Sequence, residues 1–256
     1  MTLTDPFDLT GKVAVITGAS RGIGRAAAEA MAAKGAKVVI ASRNLEPCEE
    51  VAKSIRDAGG EAIAIQCSIT HADQIEGLIS KTEAEWGTVD AMVCNAAVNP
   101  YYGPLADLPD EVFDKIMRSN VRSNLWLAKR VKDGMAAKGG GSITIVSSIA
   151  GLRASPMIAA YGVSKAADII LAKNLAQEWG PQNIRVNCVA PGLIKTDFAR
   201  ALWEDETRVA ERNASTPLRR IGEPHEIGGI VAFLASPAAA FMTGETLVAD
   251  GGVTSV

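Results

Sequence analysis

The chain has 256 residues, 48% hydrophobic and 21% charged, with 26 basic and 29 acidic side chains and a net charge of −3. This composition excludes a disordered or collagen-like chain, and the length suffices to bury a core without disulfide or metal staples. No run of like charge stands out and no apolar run approaches the ~18 residues of a membrane span, so neither nucleic acid nor membrane is expected as a partner. Residues 1–11 carry Asp5, Pro6 and Asp8 with no basic start and no apolar centre, so no signal peptide is expected there. Cys48, Cys67, Cys94 and Cys188 are too far apart to form a metal-ligand pair. They are read as reduced, mostly buried thiols of a cytoplasmic protein. His71 and His225 each precede an acidic, helix-like stretch and are read as turn or cap residues.

Short apolar strands and helices then alternate along the chain. Residues 12–17 (KVAVIT) predict a strand, 18–24 a glycine-rich turn, and 23–34 an Ala-rich helix closed by Gly35. Strand 37–41 and helix 45–58 follow, then strand 62–66, helix 72–86 and strand 90–94. Residues 110–136 have helical periodicity throughout. Strand 142–147, helix 161–179, strand 184–189 and a last short strand at 247–249 complete the pattern. Fully apolar strands alternating with helices indicate a parallel sheet covered on both faces. The expected fold is α/β: one doubly wound domain over residues 1–256 with about seven strands. Residues 190–220 form an insertion with a helix-like piece at 196–212, placed after a strand's carboxyl end, where such sheets bind ligands.

Thr17-Gly18-Ala19-Ser20-Arg21-Gly22-Ile23-Gly24 joins the first strand to the first helix. The glycines permit a tight turn and close backbone approach to a pyrophosphate, and the helix N-terminus offers unpaired N–H groups. The spacing is G-x-x-x-G-x-G, not the G-x-G-x-x-G of the general dinucleotide fingerprint. Further along stand Asn95-Ala96, Asn120, Ser148, Tyr161-Gly162-Val163-Ser164-Lys165, Asn187, Pro191-Gly192 and Asp250-Gly251-Gly252. In this order and over nearly the whole chain, these motifs resemble the short-chain dehydrogenase/reductase family. The stretches 94–100 and 190–196 look more like one branch of it, the NADP-dependent carbonyl reductases and retinol dehydrogenases. The chain ends Thr254-Ser255-Val256, which is not a peroxisomal address.

The second predicted strand ends Ala41-Ser42-Arg43-Asn44, with no acid where an NAD site usually places one on the ribose 2′-hydroxyl. A guanidinium there would pair with the 2′-phosphate of NADP. Arg43 is well placed, Arg21 approaches from the phosphate loop, and Ser42 adds a hydrogen-bond donor. NADP(H) is therefore expected in preference to NAD(H). The resemblance implies that cofactor contacts come also from Gly18, Ser20, Gly22, Ile23 and Gly24 of the loop and from Asn44. It implies others from Asn95 and Ala96, Tyr161 and Lys165, and Pro191, Gly192, Ile194 and Thr196. There are two departures from the family pattern. Ser68-Ile69 stand where an Asp usually binds the adenine amino group, and Ala97 adds a methyl where a glycine is usual.

Tyr161 and Lys165 are four residues apart on one predicted helix, which puts both side chains on one face. A free tyrosine, with a pKa of about 10, donates and accepts protons poorly at neutral pH. Lowering it to about 7 takes roughly 4 kcal/mol, which a cation about 4 Å away supplies at an effective dielectric of about 20. The resemblance implies Tyr161 as acid/base and Lys165 as its pKa-lowering partner, also bonded to the nicotinamide ribose. It implies Ser148 as a donor to the substrate oxygen, and Asn120 as holder of a water that links Lys165 to solvent. Ser148 also reads as a cap of the turn after the fifth strand, and Asn120 as an ordinary helical Asn.

The expected substrate wall is Ile149, Ala150, Met157 and Ile158 ahead of the Tyr161 helix, with Leu193, Phe198, Leu202 and Trp203 on the insertion. Val98 and Tyr101 join as candidates. Such an apolar cleft suits a small apolar ketone, aldehyde or alcohol. The insertion reads as a lid with Gly192 as hinge. The Tyr161 helix is apolar most of the way round, from Val163 to Ala176, which predicts a second buried face and a homotetramer. Behind the carbonyl reductase stand three alternatives. A 3-oxoacyl-acyl-carrier-protein reductase would use Arg153, Arg219 and Arg220 as its basic patch. A non-catalytic dinucleotide-binding regulator would be expected to lack the Ser148, Tyr161 and Lys165 set, and a sugar-nucleotide epimerase would need a longer C-terminal region.

Overall fold

Every strand but the third and the last is a short run of apolar residues buried along nearly its whole length. They are β1 (Val13–Thr17), β2 (Lys37–Ser42), β3 (Glu61–Gln66), β4 (Ala91–Cys94), β5 (Gly141–Val146), β6 (Ile184–Pro191) and β7 (Thr246–Ala249). The computed structural model describes residues 5–255, the side chain at position 208 excepted. The strands form one parallel sheet in the order β3-β2-β1-β4-β5-β6-β7, with Val15 beside Val39 and Met92.

The helices are α1 (Gly22–Ala32), α2 (Leu45–Asp57), α3 (Ala72–Trp86), α4 (Asp110–Met117), α5 (Ser123–Ala137), α6 (Ala159–Trp179), α7 (Glu206–Ser215) and α8 (Pro224–Ala235). Side chains alternate across the sheet, so each face gets its own core. Val15, Val39, Met92, Ile143 and Val186 meet Leu78 of α3, Leu127 of α5 and Leu175 of α6. Ile16, Val38, Ile40, Val93 and Val189 meet Met31 of α1, Val51 of α2 and Val231 of α8. The strand order reverses between β1 and β4. A crevice opens there at the strands' carboxyl ends, as a doubly wound sheet requires.

Two expectations are corrected. The helical stretch over 110–136 is two helices, parted by a wider π-type turn at Arg118–Arg122. That extra residue in the turn carries Asn120 inward, a use such turns often have at functional sites. The helix α8 was not expected, because Gly228 and Gly229 interrupt its pattern. Its start is well marked: Pro224 sits in the first turn, and Glu226 Oε2 accepts from the Glu223 N–H at 2.8 Å. The insertion holds a tight turn at Asp197–Leu202 and then α7.

His71 directly precedes α3 without capping it, and His225 lies in the first turn of α8. All four cysteines are buried and unpaired, and burial pushes the Cys67 thiol up to about 11. Among the described residues no group could hold a metal ion, and no helix is long and apolar enough to cross a membrane. The readings of residues 1–11 and 254–256 extend beyond the described residues.

Gly228 shows why α8 tolerates its glycines. A Cβ there would lie 2.6 Å from the backbone of Ala26, so the glycine is what lets α8 close on α1; Gly229 faces open space. Gly228→Ala is expected to cost about 1–3 kcal/mol by overpacking. Thermal denaturation should show Tm falling by about 2–4 °C per kcal/mol. Gly229→Ala should hold or raise Tm, since alanine is favoured by up to about 1 kcal/mol in an open helix position.

Candidate active site

The phosphate loop is closed by its neighbours in the sheet. Asn95, just after β4, donates from Nδ2 to the carbonyls of Thr17 (2.9 Å) and Gly18 (3.1 Å). Thr17 Oγ1 donates to the Val93 carbonyl and accepts from the N–H groups of Asn95 and Ala96. Gly18 has φ +65°, and a Cβ on it would meet Asn95 Nδ2 at 2.9 Å. Gly24 needs its bareness for a different reason than expected. A Cβ there would fall 2.5 Å from both Asn95 Nδ2 and the Gly18 carbonyl, so it closes the loop on itself and lies behind the cleft lining. The first turn of α1 carries no acid and its start has no side-chain cap, leaving its N–H groups for an anion.

A single cleft of about 830 Å³ runs from this loop across the ends of the strands. Ser20, Arg21, Gly22 and Ile23 line it at the loop, and Ser42, Arg43 and Asn44 at the end of β2. The Ser42 hydroxyl donates to the Asn44 carbonyl at 3.1 Å. Arg43 is exposed; Gln66 Nε2 holds its carbonyl at 2.8 Å, while among the described residues nothing engages its guanidinium. Arg21 is already engaged, 3.4 Å from Asp197 of the insertion. Both are exposed, so solvent screens the pair and it holds the insertion only weakly. Ser68 donates its N–H to Gln74 Oε1 and shares a hydroxyl contact with Thr70. Ile69, Asn95, Ala96, Ala97, Pro191, Gly192, Ile194 and Thr196 complete that half of the lining. A loop of bare N–H groups, a partnerless guanidinium and no carboxylate at the end of β2 fit a phosphorylated dinucleotide.

Ser148, Tyr161 and Lys165 line the other half of the same cleft. Ser148 follows β5, and its Oγ accepts from the Ala150 N–H at 3.1 Å, so it does cap the turn at Ile149–Gly151. The adjacent Ser147 is turned away and donates to the Lys165 carbonyl at 2.8 Å. Tyr161 and Lys165 share a face of α6, with Nζ 5.7 Å from the Tyr161 ring centre. Burial pushes the Tyr161 phenol above its ordinary value; Lys165 and a hydrogen bond with Ser148 pull the other way. Lys165 is 2% exposed. Burial works against its charge, but Asp168, Tyr161 and the hydrogen bond to Asp168 raise it above the ordinary lysine value.

The Asn120 side chain clamps the backbone of Val98. Its Oδ1 accepts from the Val98 N–H (2.8 Å), and its Nδ2 donates to the Val98 carbonyl (3.0 Å) and to Ser164 Oγ (3.0 Å). Its own carbonyl accepts from Asn124 Nδ2 at 2.6 Å.

Of the expected substrate wall, Ile149, Ala150, Ile158, Leu193, Phe198, Leu202 and Val98 line the cleft. Met157 and Trp203 do not. Met157 is held through its carbonyl by the Gly103 N–H, and Trp203 Nε1 donates to the Thr196 carbonyl. Tyr101 donates to the Pro104 carbonyl, and its neighbour Tyr102 lines the cleft in its place. Phe198 packs against Tyr161 with ring centres 5.9 Å apart. Gly192 is required by packing: a Cβ would lie 2.8 Å from Asp250 Cα. Thr17, Asn124 and Asp168 were not anticipated. Asp168 left a signal, as an acid one turn past Lys165 amid the apolar run of residues 166–172.

A family sequence model described as Enoyl-(Acyl carrier protein) reductase matches residues 18–254. The chain is 43% identical over 255 residues to Dehydrogenase/reductase SDR family member 4 of Bos taurus, covering 100% of this chain and 91% of that protein. A gluconate 5-dehydrogenase from Burkholderia cenocepacia, solved with NADP and tartrate, is 35% identical, with a TM-score of 0.94 and 98% of each chain covered. A 7α-hydroxysteroid dehydrogenase solved with NADH and 7-oxo glycochenodeoxycholic acid is 36% identical, also with a TM-score of 0.94 and 98% of each chain covered. With a glycine loop closed by Asn95 and a Ser148–Tyr161–Lys165 set in one cleft, the chain belongs to the short-chain dehydrogenase/reductase family and is an oxidoreductase of it.

Proposed function

We propose that the protein is an NADP(H)-dependent carbonyl reductase, interconverting a small apolar ketone or aldehyde and its alcohol. The observation that carries this reading is the joining, in one cleft, of the phosphate loop, Ser148, Tyr161 and Lys165. The preference for NADP(H) over NAD(H) is supported by the exposed Arg43 guanidinium at the end of β2 and by the absence of an acid there. Relatives of similar likeness have been solved with NADP and with NADH, so the chain's own residues carry the choice.

The bound nicotinamide supplies a hydride in reduction and accepts one in oxidation. Ser148 donates to the carbonyl oxygen and stabilises the charge that develops there. Tyr161 gives its proton to that oxygen as the alcohol forms. In the single chain burial outweighs Lys165 and lifts the Tyr161 phenol, the reverse of the lowering that its spacing from Lys165 predicts. Lys165 stabilises the tyrosinate left behind. Ile149, Ile158, Leu193, Phe198 and Leu202 exclude water and favour an apolar substrate.

A 3-oxoacyl thioester on acyl carrier protein finds less support. Arg220 is neutralised by both oxygens of Glu226, so of the three arginines only Arg219 and Arg153, each bonded to a backbone carbonyl, keep their charge for an acidic carrier. A homotetramer is also part of the proposal. Val163 and Ile170 are exposed on the outer face of α6, and β7 leaves one sheet edge unpaired in the single chain.

Tyr161→Phe should lower kcat for NADPH-dependent reduction of a diketone by about a hundredfold or more, with NADPH affinity little changed. Near-normal turnover would sink the mechanism. Arg43→Asp should raise the KM for NADPH about tenfold or more while leaving that for NADH level or lower. Light scattering should give about four subunit masses; a single 26.7 kDa mass would remove the tetramer.

A further inference from the structure

Lys165 needs partners that the sequence motif does not contain. Its Nζ donates to the Val146 carbonyl at 2.8 Å and to Asp168 Oδ2 at 2.9 Å. Asp168 is 0% exposed, and its other oxygen accepts from Asn124 Nδ2 at 2.9 Å. Asn124 in turn donates to the Asn120 carbonyl, and Asn120 holds Val98 at the cleft wall. A buried chain of hydrogen bonds thus runs from Lys165 under the cleft to its far side.

Several groups face this pair. Tyr161 and Lys165 lie on α6 itself, Asn124 on α5, and Ser148 after β5. The Cys94 thiol of β4 and the Cys188 thiol of β6 are both pushed up by burial and are neutral. The Cys188 Sγ–H points at the Asp168 carbonyl at 3.5 Å. Asp168 is the carboxylate that acts on both Tyr161 and Lys165.

We propose that Asp168 is a positioning residue of the reaction: its carboxylate pins Lys165 beneath the cleft and keeps it protonated, and through that ammonium it sets the pH at which Tyr161 gives up its proton. This rests on the acid/base reading of Tyr161 given above. A lone ammonium would pull the phenol down strongly. Paired with a carboxylate, it presents a dipole whose field at the tyrosine is partly cancelled. Without that carboxylate, burial takes the charge off Lys165 and the tyrosine loses its cation altogether. Burial lifts the carboxyl above the ordinary Asp value, with Lys165 and Asn124 holding it down. The proton stays on Lys165, whose own value is raised by the same partner.

The test is Asp168→Asn, which removes the charge and keeps the volume. In a Tyr101→Phe, Tyr102→Phe background Tyr161 is the sole tyrosine, and its ionisation is followed by tyrosinate absorbance in the full-length protein. Tyr161 should ionise about one pH unit higher in the Asn variant than in the same background with Asp168, because the buried Lys165 then gives up its charge. The rising limb of kcat against pH for alcohol oxidation should move up with it. A folded variant, judged by near-UV circular dichroism, whose Tyr161 ionises at the same pH or lower overturns the proposal. Should Asp168→Asn fail to fold, Asp168→Ser leaves room for a water and is expected to give the same upward shift. The absorbance titration needs no substrate. A shifted Tyr161 in a protein that reduces no carbonyl compound would therefore sustain the coupling while removing the proposed function.

Discussion

An ammonium group buried under the ends of a parallel sheet must be solvated by the protein itself, and much of the catalytic half of this molecule follows from that requirement. Taking a charge out of water costs several kcal/mol unless carbonyls and a counter-ion replace the lost hydration. Val146, the last residue of β5, supplies the carbonyl, and Asp168, one turn along α6, supplies the counter-ion. To meet both, α6 has to start close against β5. Ser147 holds the Lys165 carbonyl, and a Cβ on Gly151 would come within 2.6 Å of the Lys165 carbonyl carbon, so only glycine allows the approach. Tyr161 is then carried to the cleft by the turn before Lys165, with no separate device to aim it.

The other half of the cleft is built by a different constraint, the parting of β1 from β4 where the strand order reverses. Thr17 and Asn95 close that gap with hydrogen bonds that satisfy the backbone between them. The two halves meet through the insertion. Asp197 reaches the phosphate loop at Arg21, and Phe198, the next residue, lies over the Tyr161 ring. Phe198 is 55% exposed and the Arg21–Asp197 pair is solvated, so the contacts that cover the site are weaker than those that build it.

The strand–helix alternation was readable from residue types alone, because short apolar runs buried on both faces have few other uses. The loop, Ser148, Tyr161 and Lys165 were readable because fixed spacing on known elements brings them together. What escaped was whatever depends on packing between distant elements. Helix α8 was hidden by Gly228, whose value is its contact with α1 and not its helix propensity. The break at Arg118–Arg122 follows from Asn120 reaching Val98 and Ser164, partners far away in sequence. Tyr102 lines the cleft where Tyr101 was expected, because Tyr101 turns back to Pro104. Asp168 is intermediate, since its spacing from Lys165 was visible but its pairing was not.

Gly18 and Gly24 are bound into the closure of their own loop, where any added side chain collides with Asn95 or the loop backbone. The side chain of Arg43, by contrast, touches nothing that the fold depends on. The part of the cleft that grips what all dinucleotides share is thus welded to the sheet, and the part that tells them apart hangs free at its rim. A lineage or a designer can readdress such a protein from one nucleotide pool to another at the end of β2 without reopening the question of whether the chain folds.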